Sequence, residues 1–476
     1  MLRPLQLLCF CLVPLGVFGQ IDDAAPVRYA PDSLVTELEG LFDELARKHP
    51  GFYRYVTPTD YQRAIDSVLT QIDRPMTELE VYRLVKPLIA KMGCLHTGIM
   101  VSDATMTRLN AVPNVMPLQV SYQEGAVFVT RGLHDDLVGQ EGAEVLSVNG
   151  RPMVEVYQQL LAHIPMDGHN QTGKHAILRS EFALWYRTLI SDTTSFSLRL
   201  RQSGEEFSVI VPAILSADFP SFETQPQDPL QFEIREGYGW LRIQSFAKSY
   251  HREQGTRFKA VIDDAFQVLR EESMDTLVID LRGNTGGTDS YASYLVSHLL
   301  SGQYSYWDRI EVVPAVAQDV KGTAGLFYGK PLPPTSSQDT LWHWQKSGWF
   351  TREFDYYQIQ KAVTQPYQGV VYVLIDGLCM SSCADVAAVL HHQGRATFLG
   401  EETGGGYQGN TSGMIPSVEL DTGLRVDIPL LKYTNAVNPT VNVGRGTIPD
   451  VMVPQALYEK EDATLAAFER LFLQRP

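Results

Sequence analysis

"GVVYVLIDGLCMSSCADVAAVLHHQGRATFLGEETGGG", Gly369 to Gly406, holds two apolar runs, a helical pattern and two tight turns. The run ending "YVLID" has no polar alternation, as expected of a strand covered on both faces. Cys383 to His392 has the small and aliphatic spacing of a buried helix. "RATFLG" reads as a second strand and "EETGGG" as a glycine turn. Strand, helix and strand in this order predict a mostly parallel sheet with helices on its faces. In such sheets chemistry gathers beyond the carboxyl ends of the strands. Ser381 and Ser382 lie at one such end, between Cys379 and Cys383. A serine where strand turns into helix is exposed, and the amide after it points outward. Ser381 is therefore a candidate nucleophile, and Ser382 N–H a candidate oxyanion donor.

The alternation continues on both sides. "GYGWLRIQSF" reads as a strand, Glu253 to Glu271 as a helix and "DTLVIDLRGNTGG" as a buried strand with a glycine turn. Helices are expected over Asp289 to Leu300 and Ala463 to Leu473. Gly286 and Gly287 allow backbone amides close to a ligand, which makes them further oxyanion candidates.

Upstream the periodicity differs. From Ser33 to about Leu109 the apolar spacing is helical, and Thr77 with Glu80 forms a capping box. From Val115 the period is two, with a turn at Asn149-Gly150, a helix from Met153 to Ile164 and a helical insertion over His169 to Ile190. Ser216 to Leu230 is a polar linker.

At 476 residues the chain is expected to hold several domains. Its net charge of −16 argues against nucleic acid as a partner. Arg3, the apolar run behind it and Val17-Phe18-Gly19 read as a signal peptide, residues 1–19, with cleavage before Gln20. Export to the periplasm or the cell exterior follows, with no integral membrane segment after cleavage. Removal of the leader leaves Cys94, Cys379 and Cys383. Proximity of Cys94 to the serine stretch would allow a Cys94 disulfide to Cys379 or Cys383, and formally a zinc site with His96.

Four segments, "GYGWLRIQSF", "LVIDLRGNTGG", "VYVLIDGLCMSSCAD...GRATFLGEETGGG" and "GRGTIPDVMV", resemble in combination and order the C-terminal-processing (tail-specific) serine protease family, which includes the tricorn protease. The resemblance implies an α/β fold: a crotonase-like protease core over 231–476, an N-terminal helical domain over 20–112 and a PDZ-like α+β domain over 113–215. The "GRA" landmark, Gly394 to Ala396, places the nucleophile on Ser381. Typical members carry a lysine base in the glycine turn, and Gly406 stands there. The chain thus resembles the tricorn-like members, whose histidine base matches "GCLHTGI" and so His96. Their orienting glutamate has no counterpart in "VNVGRGTIPD", and Glu401 or Glu402 is the expected substitute, Glu402 being preferred. The implied activity is exported serine endopeptidase action on extended or unfolded peptides, without metal or cofactor. The PDZ-like domain would capture the peptide by strand addition. The alternative is a non-catalytic protein binding peptides or lipophilic ligands on the same fold, in which His96 lies far from Ser381.

Overall fold

Six strands form the central sheet of the C-terminal half, in the spatial order Leu230–Arg235, Tyr238–Ile243, Thr276–Asp280, Val370–Ile375, Thr397–Gly400 and Val451–Met452. The first pair is antiparallel and every other pairing is parallel. All five residues of Thr276–Asp280 are buried, as the unbroken apolar run requires. Helices Phe258–Glu271, Asp289–Ser297 and Ser382–His392 cover one face with a core that includes Phe266, Leu277, Ile279, Val373 and Val386. Helix Ala463–Leu473 covers part of the other through Phe468, against Trp240, Val278 and Tyr372. Three adjacent parallel strands end at one edge. Their trailing loops carry Arg282–Gly287, Asp376–Ser381 and Glu401–Gly406.

This computed structural model describes residues 26–220, 228–319, 330–334, 340–345, 359–456 and 462–474. The leader read over residues 1–19 lies outside them, as does the middle of the linker. Among the described residues no helix is long and apolar enough to cross a membrane.

A second apolar core joins the first half of the chain. It runs from the helices Pro31–Lys48, Pro58–Leu69 and Glu78–Lys91 into the antiparallel sheet Leu118–Gln123, Ala126–Gly132, Glu144–Val148, Ser195–Gln202 and Glu205–Pro212. Helices Met153–His163 and Thr172–Leu189 pack with that sheet. The capping box at Thr77 and Glu80 is formed in both directions. The two cores meet near the nucleophile candidate. Met380 belongs to the N-terminal core, whereas Cys379 and Cys383 belong to the core of the parallel sheet.

Two expectations are corrected. The helix read over Glu253 to Glu271 is two helices, Lys248–Glu253 and Phe258–Glu271. Gly255 between them takes φ +69°, a left-handed conformation that ends the first. The cysteines pair as Cys379–Cys383, with Cα atoms 5.4 Å apart, and Cys94 is a free, buried thiol. Cys379 lies before the helix start and Cys383 within its first turn, so the intervening turn brings the two side chains together. Among the described residues no group of three or more metal-ligating side chains gathers, so the zinc alternative gains no support.

The disulfide closes a very short loop, and on the chain-entropy relation such a loop is worth about 2 kcal/mol. Replacing Cys379 and Cys383 together with alanine should lower the unfolding free energy by that order, read as a lower urea midpoint. An unchanged midpoint would show that the bridge adds nothing to stability.

Candidate active site

Ser381 caps the N-terminus of helix Ser382–His392 with φ 50° and ψ −130°. Positive φ is costly for a residue with a Cβ and persists only where surroundings enforce it. Part of the enforcement is steric. The Arg282–Gly287 turn packs against Ser381, and a Cβ on Gly286 would lie 2.7 Å from Ser381 Cβ and 2.8 Å from the Met380 carbonyl. Only glycine fits there. Its φ of 102° adds a second reason.

His96 reaches Ser381 from the first half of the chain. Helix Glu78–Lys91 is followed by Gly93 at φ 68°, a tight turn from Cys94 to Thr97, and the strand Gly98–Met100. That strand pairs antiparallel with Arg425–Asp427 of the C-terminal half. On the other side Gly168 N–H donates to the Gly93 carbonyl at 3.0 Å. The loop so held sets His96 Nε2 3.1 Å from Ser381 Oγ, across 285 sequence positions. Both side chains are buried.

Burial lowers the His96 pKa from its ordinary value, while the Asp167 carboxylate and the Thr411 carbonyl pull the other way. Nδ1 makes no hydrogen bond of good geometry. The nearby His49 is pushed down to about 3, mainly by burial, and is neutral at working pH.

Of the oxyanion candidates, Gly286 N–H is engaged, donating to Asn284 Oδ1 at 2.8 Å. Among the described residues neither Gly287 N–H nor Ser382 N–H has an intramolecular acceptor; Ser382 follows Ser381, and Gly287 follows Gly286, which packs against Ser381.

Glu402 is not brought to His96. Its buried carboxylate accepts from Arg445 Nε at 2.9 Å, Gly446 N–H at 2.8 Å, Asn170 Nδ2 at 2.9 Å and Thr172 Oγ1 at 3.2 Å. Glu401 pairs instead with Arg179 at 3.6 Å and accepts from Gln455 N–H. At Gly406 an added Cβ would meet the Gly409 carbonyl at 2.8 Å, leaving little room for a longer side chain.

One buried carboxylate at the site had no sequence signal. Asp167, in the loop after helix Met153–His163, accepts from Leu95 N–H at 3.0 Å and from Gly406 N–H at 3.1 Å. A lone Asp in "PMDGHN" reads as a turn residue.

Residues 237–453 match the model of peptidase family S41. Among solved structures the chain is similar to mature CPAF complexed with lactacystin, with a TM-score of 0.63, 13% identity and coverage of 93% of this chain and 97% of that one. It is likewise similar to mature CPAF alone, with a TM-score of 0.60, 13% identity and coverage of 93% and 96%. At such identities the likeness shows the fold. No curated protein matches the chain. The family match over residues 237–453 supports a peptidase role, and the solved structures share the mixed α/β fold of this chain.

Proposed function

We propose that the chain is an exported serine endopeptidase acting by a Ser381–His96 mechanism on extended or unfolded peptides. The observation that carries the reading is the 3.1 Å approach of His96 Nε2 to Ser381 Oγ. It falls within the hydrogen-bond reach expected of a nucleophile and its base. The binding-protein alternative required a distant His96.

The neutral imidazole accepts the Ser381 proton at Nε2 as Oγ attacks the peptide carbonyl, and the C–N bond breaks when Nε2 returns that proton to the leaving amine. Water then repeats the sequence on the acyl-enzyme. In this reading Ser382 N–H and Gly287 N–H, which lack intramolecular acceptors among the described residues, stabilise the tetrahedral oxyanion, whereas Gly286 serves through its size. The antiparallel unit over 113–215 takes the PDZ-like role of peptide capture by strand addition. Export rests on the leader sequence, residues 1–19.

Ser381→Ala should reduce hydrolysis of an unstructured peptide by several orders of magnitude without unfolding the chain. Ser382→Ala should retain most turnover, because its backbone amide remains. The reverse pattern would move the nucleophile by one residue.

The pH dependence follows from the lowered His96 pKa. Only neutral imidazole accepts a proton, so kcat/KM should rise with pH through a midpoint below the ordinary 6.5 and be flat by neutrality. A midpoint well above 6.5 would exclude this buried histidine as the base.

Amino-terminal sequencing of the secreted or periplasmic protein should begin at or near Gln20. An intact leader on a cytosolic protein would remove the export part of the reading.

A further inference from the structure

We infer that Asp167 is the positioning residue for His96. The inference rests on the Ser381–His96 reading and deepens it. Asp167 is buried, and each of its carboxylate oxygens accepts one backbone amide. Leu95 N–H belongs to the residue before the base, and Gly406 N–H to the glycine turn beyond the Thr397–Gly400 strand. One side chain thus fixes the histidine loop to the catalytic half of the molecule. It does so from a third segment, a loop of the antiparallel unit.

The surroundings leave Asp167 as the group with electrostatic leverage on the ring. His49, near the end of helix Pro31–Lys48, is neutral, its pKa pushed down to about 3. Cys94 and Tyr55 are each pushed up to about 12, mainly by burial, and are neutral as well. Asp385, one turn into the helix that Ser381 caps, is pushed up to about 8, mainly by burial, and its carboxyl oxygens accept from Asn410 and Asn435. Thr411 contributes a carbonyl. Glu402 and Glu401 are held by Arg445 and Arg179. When His96 takes the serine proton, Asp167 is therefore the carboxylate that faces the new positive charge.

The test is the pH profile of kcat and kcat/KM on a fluorogenic unstructured peptide, for the full chain and for Asp167→Asn. The amide can still accept from Leu95 N–H but removes the charge and turns an N–H group toward Gly406. We expect kcat to fall on the order of 10- to 100-fold with KM little changed. The acidic limb should move down by about one pH unit, because the imidazolium has lost its counter-charge. A purely structural residue would lower the amount of active enzyme without moving the limb. Asp167→Ser, smaller and able to accept one amide, supplies a second variant if the first misfolds, with the same shift expected. A limb that stays in place, or that moves in Glu402→Gln instead, overturns the assignment. So does loss of the fold in both Asp167 variants, since the residue is then structural. Ser381→Ala separates this from the parent reading: if that variant still hydrolyses peptide, the Ser–His mechanism itself has failed.

Discussion

The hydrogen bond between His96 Nε2 and Ser381 Oγ is the contact on which the other features of the molecule depend. Its two ends are carried by different apolar cores. Ser381 rides on a helix packed against the parallel sheet, through Cys383, Val386 and Val389. His96 follows a helix packed among the N-terminal elements, through Val81, Val85 and Leu88. A hydrogen-bond distance tolerates errors of only a few tenths of an ångström. Two cores can hold it only if the loops between them are pinned at several points. The strand pairing of Gly98–Met100 with Arg425–Asp427 is one pin, and Met380 inserted into the N-terminal core is another.

The third pin is the loop from Asp167 to Thr172, and it explains where both carboxylates near the site have gone. Its first residue accepts from Leu95 and Gly406; Asn170 and Thr172 donate to Glu402. Glu402 also holds Arg445 and Gly446 N–H, so a single buried carboxylate ties two remote segments to its own turn. Removing such a carboxylate would leave buried donors unpaired, a cost of several kcal/mol. Glu402 thus acts as a structural knot, with its oxygens saturated, and cannot also reach His96. The short glycine turn beside it keeps the knot close to the nucleophile.

Much of the fold was legible in the sequence because it rests on local patterns. Val370–Ile375 and Thr276–Asp280 are apolar runs of strand length. Thr77 and Glu80 cap a helix where the spacing said they would. Ser381 and His96 could be nominated because each sits in a short motif. The buried Asp167 could not, because it gains its place from contacts 72 and 239 positions away and resembles an ordinary turn residue locally. The disulfide was hidden for a related reason. Cys379 and Cys383 approach only because the chain turns from strand to helix at Ser381, with positive φ, and no composition rule reports that conformation. The break between Lys248–Glu253 and Phe258–Glu271 falls at one glycine inside a helical pattern, and such a glycine can also be tolerated within a helix.

On the proposed Ser381–His96 mechanism, a base drawn from another part of the chain changes what activity depends on. A lysine in the glycine turn would need only the parallel sheet and its helices to be in place. The chain has Gly406 there, crowded by the Gly409 carbonyl and Asp167. Its histidine arrives only when the N-terminal helices, the antiparallel unit and the catalytic half have docked together. The nucleophile's strained backbone, the histidine loop and the loop from Asp167 to Thr172 all meet at the seam between the two cores. Partly folded chains therefore hold a serine without a base.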